Sequence, residues 1–405
     1  MKKMFACIMF ILPGICVIIG GIFVAFFANR FYCETTAVIT GVHPQDDGRR
    51  VVDIEYTVDG VVYTGSYIST GSSDIVGNEY PILYDPDYPA DNKDDNSALG
   101  VPMIIFGTVW SGLIIHSMYR RDKMLYKIKK GKTEISAHIH GAELHSLRYE
   151  GREYLWQSGA AWKRYAPILF PFICSPKGGT YRAGGREYTM KANHGFARDC
   201  DFKFVKKGED FIEFVLYENE ETFAQYPYSF EFTVRYTVLE NGVRVENIVE
   251  NSDVKDMYFY LGGHPAFNCP LTKGESFEDY DIIYGMNEHI TDPAGNVLAD
   301  NGNTLAVTRA MFDNDAIMID RPNSKAVTLK SRISGRSVTV KFPQSDCIAV
   351  WSPTGDDRAA FVCLEPWTSL PVYADDAYPD IENKPHAIKL GAGEKFSYSY
   401  DIEVY

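Results

Sequence analysis

Three short stretches hold the residue types that move protons. Asn193-His194-Gly195-Phe196-Ala197-Arg198 sets an imidazole, a glycine and a guanidinium within one turn's length. Leu261-Gly262-Gly263-His264-Pro265-Ala266-Phe267-Asn268 follows the strand-like run Met257-Tyr258-Phe259-Tyr260 and holds a second imidazole between glycines and a proline. Cys363-Leu364-Glu365-Pro366-Trp367 ends an apolar run with a carboxylate beside an aromatic ring. Taken singly, a His or Glu at a strand end is more often a structural hydrogen-bonding residue, and Pro265 and Pro366 read equally as strand stops. Taken together, one carboxylate and two imidazoles are the equipment for passing protons between oxygens. The chain carries no nucleophile elbow, Walker loop, dinucleotide fingerprint or HExxH helix. Ala137-His138-Ile139-His140 puts two imidazoles on one side of a strand. No third ligand follows, so a strand at a domain start is the simpler reading, and neither metal nor cofactor is expected.

Something must bring these distant stretches to one place. The 405-residue chain is 45% hydrophobic and 23% charged, with 27 Tyr and 24 Phe, a composition that favours folded β structure. A net charge of −14 without a basic stripe in the C-terminal part argues against nucleic acid. The 8 Cys are scattered, with no CxxC, as expected of buried thiols in a reducing compartment. From Gly141 onward, strand signals recur at short intervals and helical periodicity is scarce. Phe211–Tyr217, Tyr228–Leu239, Val243–Glu250 (after an Asn241-Gly242 turn), Ser337–Phe342, Cys347–Trp351, Ala360–Leu364 and Phe396–Val404 are examples. This pattern predicts one large sandwich of two sheets.

The N-terminal part differs. Met4–Ala28 and Leu99–Tyr119 are apolar runs, each about long enough to span a bilayer. For the first, an uncleaved span is preferred to a signal peptide. Lys2 and Lys3 precede the first run, and Arg120, Arg121, Lys123, Lys127, Lys129, Lys130 and Lys132 follow the second. The positive-inside rule then places both termini in the cytoplasm and residues 30–98 outside. Between the runs, Arg50–Val58, Asp59-Gly60 and Val61–Ile68 give a strong hairpin signal. The cluster Asp91, Asp94 and Asp95 reads as a solvated acidic linker. The expected layout is residues 1–29 (N-terminus and first span), 30–98 (small extracytoplasmic β domain), 99–119 (second span), 120–132 (basic connector at the inner leaflet) and 133–405 (β-sandwich). Residues 30–98 loosely resemble an uncharacterised small β domain found between two membrane spans, which implies no activity.

Residues from about 133 to 405 resemble the aldose 1-epimerase (galactose mutarotase) superfamily, nearest its LacX-like branch. The matching segments, in family order, include Gly141-Ala142-Glu143-Leu144, Leu155-Trp156-Gln157, Ala166–Pro171, His194–Arg198, Gly263–Asn268 and Leu364–Trp367. The resemblance implies a mainly β supersandwich with a sugar-binding concave face, and a cofactor-free isomerase that interconverts the α and β anomers of a free aldose. It makes Glu365 the base, His264 the acid at the ring oxygen, and His194 a hydrogen-bonding group beside it. It also matches Asp313 to a carboxylate that holds sugar hydroxyls, with Asp315 a near alternative and a simple turn an equal reading of both. Arg198 and Asn268, in the matching segments, are further substrate-binding candidates, and Trp351 and Trp367 read equally as stacking surfaces for a sugar and as core. One departure stands out: Ser175 occupies the place where the family often has a substrate-binding arginine, so Lys177 or Arg198 would have to compensate or the sugar differs. Two rival readings are a catalytically silent carbohydrate-binding sensor or transport accessory, and a hexose-6-phosphate 1-epimerase. The latter predicts an arginine cluster at the cleft mouth, with Arg164, Arg182 and Arg198 as candidates.

Overall fold

The computed structural model describes residues 33–45, 49–69, 74–84, 92–93, 124–190, 192–355, 359–375 and 377–405. They fall into two compact units, one within residues 1–122 and one within 123–405. The apolar runs 4–28 and 99–119, expected to be membrane spans, lie outside the described residues, as do Asp91, Asp94 and Asp95. Among the described residues no helix is long and apolar enough to cross a membrane.

The first unit is a five-stranded antiparallel sheet in the order Val61–Ser69, Arg50–Val58, Cys33–Pro44, Glu79–Tyr84, Asn92–Lys93. The expected hairpin is present, with Val58 opposite Val61 and both Asp59 and Gly60 at positive φ, as a two-residue primed turn requires. Alternation along Arg50–Val58 buries Val52, Ile54, Tyr56 and Val58 on one face, where they meet Ala37, Ile39 and Ile82.

The second unit is built on a nine-stranded sheet and a six-stranded sheet. The nine-stranded sheet runs Lys203–Lys207, Phe211–Tyr217, Phe230–Leu239, Gly242–Asn251, Lys395–Val404, Ser337–Lys341, Ala326–Ser331, Tyr280–Thr291, Val297–Ala306. In Phe230–Leu239 every second residue is buried, which puts Phe230, Phe232, Val234, Tyr236 and Val238 into the core. The six-stranded sheet contains Ile168–Leu169, Gly262–Gly263, Ala266–Asn268, Phe361–Trp367, Cys347–Trp351 and Ile317–Asp320. One continuous hydrophobic core takes side chains from both sheets. Phe361–Trp367 is buried at every position, as expected of a strand covered on both faces.

Two expectations about local structure change. The basic segment 120–132 is not a bare connector, because Leu125–Lys130 forms a strand paired along its whole length with Thr133–His138. Ile128 enters the core and Tyr126 stacks on Phe204, while Lys127 and Lys129 project outward. A period of two was present but obscured by the lysines. The apolar strand predicted at Ala360–Leu364 also does not stop at the proline. It continues through Pro366 to Trp367, with Pro366 opposite Ile348.

Candidate active site

The six-stranded sheet places the acid–base residues through one interrupted strand. Gly262 pairs with Trp367, and Ala266–Asn268 pairs with Phe361–Cys363. Between these pairings, at His264-Pro265, the register is kept and the Leu364 N–H still donates to the Pro265 carbonyl (3.2 Å), so the ladder has a break where Pro265 lacks an N–H. His264 therefore sits opposite Glu365. The His264 N–H donates to the Pro167 carbonyl (3.0 Å), in register with the pairing of Ile168 and Gly263 on the other side. Gly262-Gly263 precedes the break because a side chain at either position would collide, with the Trp367 ring in one case and the Tyr400 phenol in the other.

His194 arrives from a loop. It has φ 63 and is followed by Gly195 at φ 72, where a Cβ would strike the Phe170 carbonyl. The Cys174 N–H donates to His194 Nδ1 (3.0 Å), and the His194 N–H donates to the Cys174 carbonyl (3.1 Å). With Nδ1 accepting, the neutral ring carries its proton on Nε2. The His194 and His264 rings meet edge to face, with centroids 5.4 Å apart.

Glu365 is 1% exposed, His264 6% and His194 7%. His264 Nε2 lies 3.1 Å from Glu365 Oε2, and both Glu365 Oε2 and His264 Nδ1 are buried without a hydrogen-bond partner. Burial, with Asp315 nearby, pushes the Glu365 carboxyl well above the usual carboxylate range. Burial, then His194 and Arg198, pushes His264 well below the usual imidazole range. His194 is lowered to about 3, by burial and then by Arg198. Both shifts favour an uncharged pair, with one proton held by Glu365 and none gained by His264.

These residues line a cleft of about 270 Å³, together with Trp162, Cys174, Asn193, Arg198, Asp315, Met318, Trp351, Trp367 and Tyr373. Trp162 stacks on His264 at 5.1 Å, and Trp351 meets the same ring edge-on at 5.8 Å. Arg198 Nε and Trp367 Nε1 are buried without partners. His194, His264, Glu365, Arg198, Trp351 and Trp367 thus line one cleft.

Asn268 and Asp313 do not join them. The Asn268 amide donates to the carbonyls of Glu153 (3.2 Å) and Leu155 (3.0 Å), because four residues of strand carry it roughly 13 Å beyond His264. Asp313 closes a short 3₁₀ turn and faces solvent. Two residues later Asp315, at φ 84, turns the chain so that its carboxylate reaches the cleft. Lys177 lies outside the cleft lining, which leaves Arg198 as the cation lining it among the described residues. Arg164 donates to the Arg198 carbonyl and shares the Asp199 carboxylate with Arg198, and Arg182 approaches Asp380 at 3.5 Å, so among the described residues no second arginine lines the cleft. His138 and His140 are not a ligand pair. His138 Nδ1 accepts from the His140 N–H and its ring stacks on His145, while His140 pairs with Asp201. Trp162, Met318 and Tyr373 had no sequence signal, being single residues in segments without periodicity.

Comparison with known proteins agrees with this geometry. Residues 124–403 match the family model described as aldose 1-epimerase. The plasmid-encoded protein LacX of Lactococcus lactis subsp. lactis is 33% identical over 283 residues, covering 65% of this chain and 94% of LacX. Among solved structures, the galactose mutarotase related enzyme from Lactobacillus acidophilus superposes with TM-score 0.64 at 30% identity, covering 70% of this chain and 97% of that one. A galactose mutarotase-like protein from Lactobacillus casei gives TM-score 0.63 at 31% identity, covering 69% and 100%. The match spans nearly the whole second unit, and by it the chain belongs to the aldose 1-epimerase family.

Proposed function

We propose that the second unit is a mutarotase, interconverting the α and β anomers of a free aldose. The observation that carries the reading is the buried His264–Glu365 pair, 3.1 Å apart at the base of a cleft. At about 270 Å³ the cleft suits one monosaccharide, being at the small end of the roughly 300–1,000 Å³ typical of ligand pockets. Trp162, Trp351 and Trp367 offer apolar faces to a sugar ring, and Arg198 and Asp315 offer polar groups to its hydroxyls.

In this mechanism Glu365 accepts the anomeric hydroxyl proton as the C1–ring oxygen bond breaks. The released electron pair stays on the ring oxygen, which takes a proton from His264. The C1–C2 bond of the open aldehyde rotates, and closure on the other face reverses the transfers. The His194 Nε2–H donates to the sugar beside the ring oxygen. Glu365 as base and His264 as acid contain the same single proton as the uncharged pair. One transfer across the pair therefore arms it when sugar hydroxyls solvate the charges. Acid and base acting together leave no charged sugar intermediate to stabilise.

The apolar runs 4–28 and 99–119, with the basic residues after the second, support tethering of this unit to the inner face of a membrane, with residues 30–98 outside. Anomer exchange measured by NMR on the full chain, with several hexoses, tests the reaction. Glu365→Gln is expected to slow it by about 10²–10⁴-fold. Wild-type exchange equal to buffer would sink the proposal, and sugar binding without exchange would make the unit a silent carbohydrate-binding module. A cleft lined among the described residues by one cation, Arg198, weighs against a phosphorylated sugar.

A further inference from the structure

Cys363 has no part in the reaction above, yet it lies beside the pair. Two residues before Glu365 on the same strand, it faces the same way. It is fully buried, in a patch that includes Phe361 and packs against Trp162 and Trp351. A ring nitrogen of His264, the Cys363 sulfur and a Glu365 oxygen all lie within 4.8 Å of one another. Two of the three residues hold polar atoms that are buried without a hydrogen-bond partner, His264 Nδ1 and Glu365 Oε2. Such a trio meets the demands of a borderline-soft divalent cation: one imidazole, one thiolate and one carboxylate, with a fourth position open to the cleft. Tetrahedral zinc sets its ligand atoms roughly 3.3–3.8 Å apart, so rotamer changes of about 1 Å suffice to close the trio.

We infer that the floor of the cleft is a zinc-class metal site formed by His264, Cys363 and Glu365, and that its occupancy shuts off the acid–base pair. Binding displaces two protons to solvent, one from the Cys363 thiol and one from the Glu365 carboxyl, while His264 donates a ring lone pair. The Zn²⁺, one thiolate and one carboxylate sum to zero charge, which suits a dry site. The metal occupies the atoms that would exchange protons with the sugar, so metal and turnover exclude each other. Binding of the metal stands apart from the mutarotase reading, and only its inhibitory effect rests on it.

The test is a Cd²⁺ titration of the full chain, stripped of metal with a chelator, followed through the ultraviolet thiolate-to-cadmium charge-transfer absorption. Wild type and Cys174→Ser are expected to show a band that Cys363→Ser and Cys363→Ala both lose. The Cys174 control matters because that thiol lines the same cleft. A band of equal size in wild type and both Cys363 variants, or no band at all, would overturn the site. In parallel, Zn²⁺ is expected to stop anomer exchange in wild type, reversibly with chelator, and to spare it in Cys363→Ala. Cadmium binding at Cys363 with no exchange in any sample would refute the mutarotase reading alone.

Discussion

The proton on His194 belongs on Nε2 because a backbone donor occupies Nδ1, and burial with Arg198 lowers the ring to about 3. It is therefore a neutral donor throughout the working range and adds no limb to a pH profile above about pH 4. The pair behaves differently. Its one-proton state is lost in acid when His264 gains a second proton, and in base when Glu365 releases the only one. Because His264 is pushed down and Glu365 up, the limbs lie far apart. The profile of kcat/KM is expected to be a broad plateau whose limbs report the pair, not either residue. Glu365→Gln should remove the basic limb from its residual activity, and a retained limb would assign that titration elsewhere. The same shift predicts stability. The folded state holds the Glu365 proton that the unfolded chain releases near pH 4, so this group's contribution is present below that pH and lost as pH rises. Glu365→Gln should then raise the melting temperature more at pH 8 than at pH 4. An equal gain at both would mean that burial does not raise this carboxyl. At this scale the sequence singled out the three residues proposed to react but not their environments. Asp315 and Trp162 are cleft residues only because of what surrounds them, and Asn268 looked like one until its amide was seen to be spent on two carbonyls.

The elements explain why these particular backbones were chosen. Pro265 and Pro366 remove two N–H donors from this pair of strands, yet the register from Gly262 to Asn268 is kept and sets His264 opposite Glu365. Pro366, which reads in isolation as a strand stop, lies inside a strand, opposite Ile348. The Asn193–Arg198 loop depends on its glycine. Gly195→Ala combines positive φ with a clash against the Phe170 carbonyl, and is expected to destabilise the unit by about 3 kcal/mol or more. Chemical denaturation would show this as a lower midpoint at unchanged slope. A variant as stable as wild type would mean that the loop can move away from Phe170. The strands themselves were legible wherever alternation was clean, as in Phe230–Leu239. Leu125–Lys130 escaped because its outward lysines suggested a membrane-facing connector, while its inward Tyr126 and Ile128 were too few to stand out.

For the whole molecule, the division at residue 122 coincides with the start of the family match at residue 124. LacX, matched over 94% of its length by this unit, comprises little beyond it. Residues 123–405 expressed alone are expected to fold and to exchange anomers with kcat/KM within about twofold of the full chain. A fragment that unfolds cooperatively yet shows a large loss of kcat/KM would give the first 122 residues a part in the site. The tether is tested by where the full chain sediments. Recovery in a membrane fraction, resistant to high salt and released by detergent, is the expected result, and release by salt would show electrostatic association instead.

What the sequence determined by itself was the class of architecture, and it singled out the groups proposed to react. Both depend on local information: period-two burial, turn residues, and three motifs whose residue types have few other uses in combination. The tertiary structure decided which groups meet. His264 and Glu365 are about a hundred positions apart in the chain, and they face each other because a strand register, set by dozens of side chains packed elsewhere, aligns them. It also decided their protonation, since burial is a property of the whole fold. Cys363 illustrates both points: in the sequence it is one scattered cysteine among 8, and in the fold its sulfur lies within 4.8 Å of a His264 ring nitrogen and a Glu365 oxygen.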